Sequence, residues 1–283
     1  MNKKSKLILL TVGVAMLLLA ALAWLGMVMN KVDQASIVFS HVANFFKTED
    51  LQFTGDLKTG QYTAEFTSTI KGEKSKSEVI LKPGNLSGGS LKGQAVEING
   101  EIYFRVDDVS TLLDSLPKDP LSRAIRANLE KVASAYKGRW IRLEKSDQNN
   151  VKNCLMTIRG YKVDLSDAET SFSKHRFFDM KNMSQEGSVK KYEVTINNEL
   201  PAFLADATRA SVQQFEACNI QGATLKIYFS EQTNQIVRLE AAKDDWELTL
   251  SGFTYENLPT IEAPKTSTPF SRLKKSLNNL FIL

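Results

Sequence analysis

The sequence predicts an α+β fold, in which a transmembrane helix precedes a long antiparallel sheet with a few helices laid on one face. Three observations predict it. An unbroken apolar run extends from Leu7 to Met29, several later segments alternate polar and apolar residues, and others repeat apolar residues at helical spacing. No Pro- or Gly-rich linker divides the middle of the chain, which favours one domain over two.

The apolar run is long enough to span a bilayer, because a helix rises about 1.5 Å per residue and the hydrocarbon core is roughly 30 Å thick. Lys3, Lys4 and Lys6 precede it and predict a cytoplasmic N-terminus. We therefore expect residues 1–30 to be a lysine flank and a signal anchor. The protein would be a single-pass protein of the cell membrane with an extracytoplasmic C-terminal domain.

Two other interpretations of this run remain open. Ala21-Leu22-Ala23 supplies a small-x-small site, so the segment can instead be a signal peptide cleaved after Ala23. A buried core helix is the third interpretation. The run continues past Ala23 through Trp24 to Met29, which suits a span better than the end of a signal.

Residues 31–264 are predicted to form the exported domain. Gln61 to Ile70 alternates as a half-buried strand does, and the polar run Lys71 to Ser77 predicts a hairpin tip. Asn99-Gly100 lies between two apolar segments, which predicts a hairpin with a type I′ turn. Further strands are predicted over 140–144, 189–197, 223–229, 236–242 and 246–255.

Helices are predicted at three places in this domain. Residues 35–46 repeat apolar positions at helical spacing. Asp119 and Pro120 can begin a second helix, which Gly138 can end. Leu200 to Ala217 predicts the third, with Pro201 in its first turn.

Charge and cysteine content narrow the class of protein. The net charge of +4 is small for 283 residues, which argues against nucleic acid as a partner. Cys154 and Cys218 are the two cysteines, and in an exported domain they predict either a disulfide or two buried thiols. Neither has a second Cys or a His at ligand spacing, so no metal site is expected.

The sequence predicts no catalytic centre and no cofactor. It contains only two histidines, His41 and His175, which we interpret as a packing or helix-surface residue and as a solvated residue. No nucleophile elbow, zinc-binding pair, phosphate-binding loop or dinucleotide fingerprint is present. A hydrolase is therefore a distant third hypothesis.

The order of segments resembles the lipoprotein-carrier superfamily, the half-barrel fold of LolA-type carriers and LppX/LprG-type exported lipoproteins. The segments that carry the resemblance are the strand at 61–70, VEINGEIYFRV at 96–106, GRWIRLE at 138–144, and ATLKIYFSEQTNQIVRLEA at 223–241 followed by NLPTIEAP. The resemblance implies a large curved antiparallel sheet with helices packed on its concave face, around an apolar cavity for acyl chains. This chain departs from the family in having a span instead of an acylated Cys.

Two hypotheses of function follow from the resemblance. The first is a noncatalytic, membrane-tethered domain that binds a hydrophobic or lipid-like ligand, with Tyr62, Phe66, Phe104 and Trp140 as candidate cavity residues. The second is an envelope interaction or sensor protein that recognises another protein, in which these side chains fill a closed core.

Residues 265–283 are predicted to form a Pro-containing linker and a short basic amphipathic tail. Phe270, Leu273, Leu277 and Leu280 fall on one helical face, away from the nearby basic residues. Such a helix can lie on a membrane surface or dock a partner; a frayed terminus is the alternative.

Overall fold

The computed structural model of the chain describes residues 35, 37, 38, 41, 50–84, 88–115, 120–143, 165–218 and 220–278. The predicted span at 7–29 and Cys154 lie outside these residues, so the anchor and the disulfide stay predictions. No helix in the described ranges combines the length and hydropathy needed to cross a membrane.

The chain divides into two compact units, which we describe separately. Unit 1 comprises Met1–Glu49 and Val151–Phe253, and unit 2 comprises Asp50–Asn150 and Thr254–Leu283. The single exported domain over 31–264 stays a prediction.

Besides the helical residues 35, 37, 38 and 41, the described ranges contain the following elements. The strands are β1 (Asp50–Thr59), β2 (Tyr62–Lys71), β3 (Lys74–Pro83), β4 (Leu91–Ile98), β5 (Glu101–Asp108), β6 (Trp140–Arg142), β7 (Phe178–Glu186), β8 (Val189–Ile196), β9 (Thr224–Ser230), β10 (Gln235–Lys243), β11 (Trp246–Thr254) and β12 (Thr268–Pro269). The helices are α1 (Ser110–Asp114), α2 (Pro120–Tyr136), α3 (Leu165–Lys174), α4 (Leu200–Thr208) and α5 (Phe270–Asn278), with a 3-10 helix at Val212–Cys218.

In unit 2, strands β1 to β6 lie in chain order, and each pairs antiparallel with the next. The predicted type I′ hairpin is confirmed, because Asn99 and Gly100 both have positive φ, 53° and 75°, between the paired residues Ile98 and Glu101. The predicted tip at 71–77 is too long. Pairing continues to Lys71 and Lys74, which leaves a two-residue turn.

In unit 1, the sheet order is β11-β10-β9-β8-β7, and all the described pairs are antiparallel. Alternate residues of β8 and β9 are buried, and Phe203 of α4 packs against Phe177 with ring centroids 4.9 Å apart. Antiparallel strands with helices packed beside them confirm the predicted α+β class within each unit.

The predicted helix over 200–217 is wrong in its second half. Helix α4 ends at Thr208, because Arg209 adopts the left-handed conformation with φ 56°. The N–H of Arg209 donates to Asp206 and that of Ala210 to Ala205, which is the Schellman pattern. Glycine usually takes this position, so the sequence carried no signal for the stop. A 3-10 helix follows instead.

Candidate functional site

The candidate site is one side of the unit 2 sheet, which we call the apolar face. Cross-strand neighbours in an antiparallel sheet point to the same side, so the register identifies its members. One row runs from Gly55 through Phe66, Val79 and Gly93 to Val106. The next row includes Phe53, Ser68, Ser77, Ala95, Phe104 and Ile141.

The apolar face is closed where β1 and β2 form it. Phe53 is 1% exposed and Phe66 6%, and their rings meet edge to face with centroids 6.4 Å apart. Gly55 makes room for this arrangement, because a Cβ atom there would overlap the Phe66 ring. The β1–β2 end is therefore a packed core rather than an open surface.

The same face is only half-buried across β3, β4 and β5. A run of apolar side chains on three neighbouring strands thus keeps part of its surface in contact with solvent, and extended apolar surface of this kind is typical of ligand or partner sites. The side chains with this intermediate exposure are Val79, Leu81, Leu91, Ala95, Ile102, Phe104 and Val106.

One end of the apolar face is polar. The hydroxyls of Ser68 and Ser77 lie 2.8 Å apart and share a hydrogen bond, although Ser68 is only 4% exposed. Ser75 and Glu97 form the next cross-strand pair on the same side, and both are half-buried. The face therefore offers apolar contacts over most of its length and polar atoms at the end near the β2–β3 turn, which suits an amphiphilic molecule.

Three of the four residues proposed from the sequence share this face. Tyr62 and Phe66 are buried on β2, and Phe104 is half-buried on β5. Phe104 also contacts Phe270 of α5, with ring centroids 6.0 Å apart at 66°. Helix α5 therefore contacts the apolar face through its first residue. That these residues line a cavity stays a prediction.

Trp140 lies on the opposite side of the sheet. It pairs with Arg105, whereas Phe104 pairs with Ile141, and adjacent residues of a strand point to opposite sides. Its ring packs against the buried cluster of Val96, Ile98 and Ile261, and the Arg105 guanidinium lies 4.9 Å above it. Trp140 stabilises that cluster and does not contribute to the apolar face.

Strand β1 was not predicted from the sequence, although a weak alternation of apolar residues was present. Leu51, Phe53 and Leu57 recur with period two, but Gly55 interrupts the apolar positions and Asp56 adjoins it. Strand β1 nevertheless provides the most deeply buried part of the apolar face. Strand β7 and helix α3 were also missed.

Unit 1 contains a cleft of about 290 Å³, lined by Thr170, Ser171, Lys174, Ala205, Asp206, Arg209 and Ala210. His175 borders this region. Its Nδ1 lies 3.0 Å from a carboxylate oxygen of Glu199, and its Nε2 lies 3.3 Å from one of Asp206. These contacts connect the chain after α3 to α4 and to the residue before it. His175 lies in a loop and its side chain is 27% exposed, in agreement with its interpretation as a solvated residue. The described residues contain no group of three or more His, Cys, Asp or Glu side chains placed to hold a metal ion.

His41 is a packing residue, as its interpretation from the sequence anticipated. Its ring stacks on Phe229 with centroids 3.6 Å apart and lies 5.9 Å from Tyr192. Burial, and secondarily the charge of Lys190, lowers the pKa of His41 from 6.5 to about 4, against an opposing effect of Glu231. The imidazole is therefore neutral in the folded protein at neutral pH.

This lowered pKa predicts a loss of stability in acid. The unfolded chain takes up a proton on His41 near pH 6.5, whereas the folded chain resists it until about pH 4. The stabilisation is complete above pH 6.5 and falls by on the order of 2 kcal/mol as the pH approaches 4. Urea unfolding at several pH values should show this fall in wild type and a shallower one in His41→Phe. Equal pH slopes in both proteins would show that His41 does not titrate as described.

Comparisons with known proteins give a remote likeness of fold. No family model and no curated protein matches the sequence. Among solved structures, the chain is similar to the crystal structure of LprF from Mycobacterium bovis. The match has 8% sequence identity and a TM-score of 0.34, and it covers 77% of this chain and 90% of LprF. The site and its chemistry are inferred from this chain's own contacts.

Proposed function

We propose that this chain is a membrane-tethered, extracytoplasmic, noncatalytic protein that binds a hydrophobic or lipid-like ligand on the apolar face of unit 2. The observation that carries the proposal is the half-buried apolar surface across β3, β4 and β5. A ligand that covers this surface gains about 25 cal/mol for each Å² of apolar area removed from water.

The two ends of the face favour an amphiphile over a plain hydrocarbon. An acyl chain lies along the row that contains Val79 and Val106 and beside Phe104 of the next row, and a polar group lies near Ser75 and Ser77. The proposal includes a half-barrel fold, in which helices pack over the concave face of the sheet. The proposed membrane tether is supported by the apolar run from Leu7 to Met29 and by the lysines before it.

Recognition of another protein is the second candidate function. The closed packing of Phe53 and Phe66 over Gly55 favours it, because this end of the face is already filled by the chain's own side chains. A partner protein would then cover the remaining apolar surface in place of a lipid.

Native mass spectrometry distinguishes the two functions. The full chain is extracted in detergent, and the detergent is removed in the gas phase. Ligand binding predicts an added mass that tandem fragmentation releases as a lipid or another amphiphile. A spectrum that contains only the bare chain, or the chain with a second polypeptide, would contradict ligand binding.

A further inference from the structure

We propose that helix α5 is a latch on the apolar face, and that an anionic phospholipid surface releases it. This inference rests on the proposed function, because uncovering the face matters only if a ligand binds there. The latch is closed in this structure, where Phe270 contacts Phe104.

Among the residues that the structure describes, few side-chain contacts hold α5 to the rest of unit 2. Phe270 meets Phe104 edge to face, and the Ser276 hydroxyl lies 3.0 Å from that of Tyr136 on α2. Strand β12 precedes α5 and pairs in parallel with β6 over only two residues, one of which, Pro269, has no N–H to donate. An aromatic pair and a hydrogen bond each contribute little net free energy, so a competing surface can separate α5 from Phe104.

The exposed surface of α5 carries three basic side chains. Arg272, Lys274 and Lys275 are exposed and form no ion pair with any described residue, whereas Phe270 and Leu273 are half-buried on the inner side. A bilayer with anionic lipids attracts such residues electrostatically, and the apolar side of the helix can enter the interface. Insertion of the apolar side of α5 into the interface would separate Phe270 from Phe104, so membrane binding competes with the closed latch.

The chain before α5 allows this movement. Ile261 is buried against Val96 and Ile98 and holds the chain there. Residues 262–267 have no regular structure, and six residues can reach about 20 Å when extended. Helix α5 can therefore move away from the apolar face without disturbing the Ile261 cluster.

The test is photocrosslinking from position 270 in the full chain, with Phe270→p-benzoyl-phenylalanine, in two kinds of nanodisc. One contains phosphatidylcholine alone, and the other adds about one-third phosphatidylglycerol. We expect crosslinks to the β5 peptide in neutral discs and to lipid in anionic discs. The ratio of the two products should shift on the order of tenfold, as expected for a net gain of about 1.4 kcal/mol.

Two charge variants provide the control. The triple change R272Q/K274Q/K275Q should keep the β5 crosslink in anionic discs. The triple change K58Q/K71Q/K74Q removes the same charge from exposed lysines on β1 to β3 and should behave as wild type. An unchanged crosslink ratio in the two discs would overturn the latch, as would an equal loss of the shift in both triple variants.

Failure of the latch and failure of the proposed function give different results. If the crosslink ratio does not change but native mass spectra contain bound lipid, the latch is wrong and the function stands. If the ratio shifts but neither wild type nor Phe270→Ala retains lipid, the proposed ligand function is wrong.

Discussion

Replacing Gly55 by alanine should destabilise the protein by about 2 kcal/mol, although alanine normally costs less than glycine in regular structure. A Cβ atom at this position would overlap the Phe66 ring, which lies over the glycine across the β1–β2 pair. The ring is buried and meets the Phe53 ring edge to face, which restricts its movement. Urea unfolding of G55A and wild type measures the difference.

A double-mutant cycle isolates this overlap. In a Phe66→Ala background the ring is absent, so Gly55→Ala should be neutral or stabilising by about 0.5 kcal/mol. Thr54→Ala is the matched control on the exposed side of β1, and its effect should stay within about 0.5 kcal/mol. Additive effects of G55A and F66A would show that the ring does not lie on the glycine.

Replacing Ala95 by tryptophan should weaken ligand binding while the protein stays folded. Ala95 lies on the half-buried part of the apolar face, between its partners Ser77 and Phe104. A large ring there covers surface that the ligand would otherwise cover, so affinity for a fluorescent fatty acid should fall at least about tenfold, or 1.4 kcal/mol. Equilibrium titration of the full chain in detergent measures it.

Lys92→Trp is the control for this variant. Lys92 lies on the same strand but on the opposite side of the sheet, where it is exposed. The same ring should leave fatty-acid affinity unchanged there. If both tryptophans weaken binding equally, or neither does, the ligand does not occupy the apolar face.

Local chemistry made part of this fold predictable. The Asn99-Gly100 turn follows from two residues that tolerate positive φ, and helix α2 ends shortly before Gly138, which has φ 69°. By contrast, α4 ends at Arg209, where the left-handed conformation is held by the surrounding backbone bonds and not by a residue preference.

The candidate site was predictable only in part, because alternation assigns sides within a strand but not between strands. Phe104 and Trp140 are both large aromatic residues on predicted strands, and nothing in their local sequence assigns them to different sides of the sheet. Their sides follow from the pairing of Phe104 with Ile141, which depends on long-range register. Likewise, the partial exposure of Val79 and Ala95 depends on what packs above them, which no local pattern encodes.

The most direct test of the central claim is to map where a ligand binds. A fatty acid with a photoreactive group at its chain end, added to the full chain in detergent and irradiated, should label peptides from Lys74–Pro83, Leu91–Ile98 and Glu101–Asp108. Excess unlabelled fatty acid should compete for this labelling. Labelling confined to unit 1, or labelling that no competitor reduces, would contradict a lipid site on the apolar face.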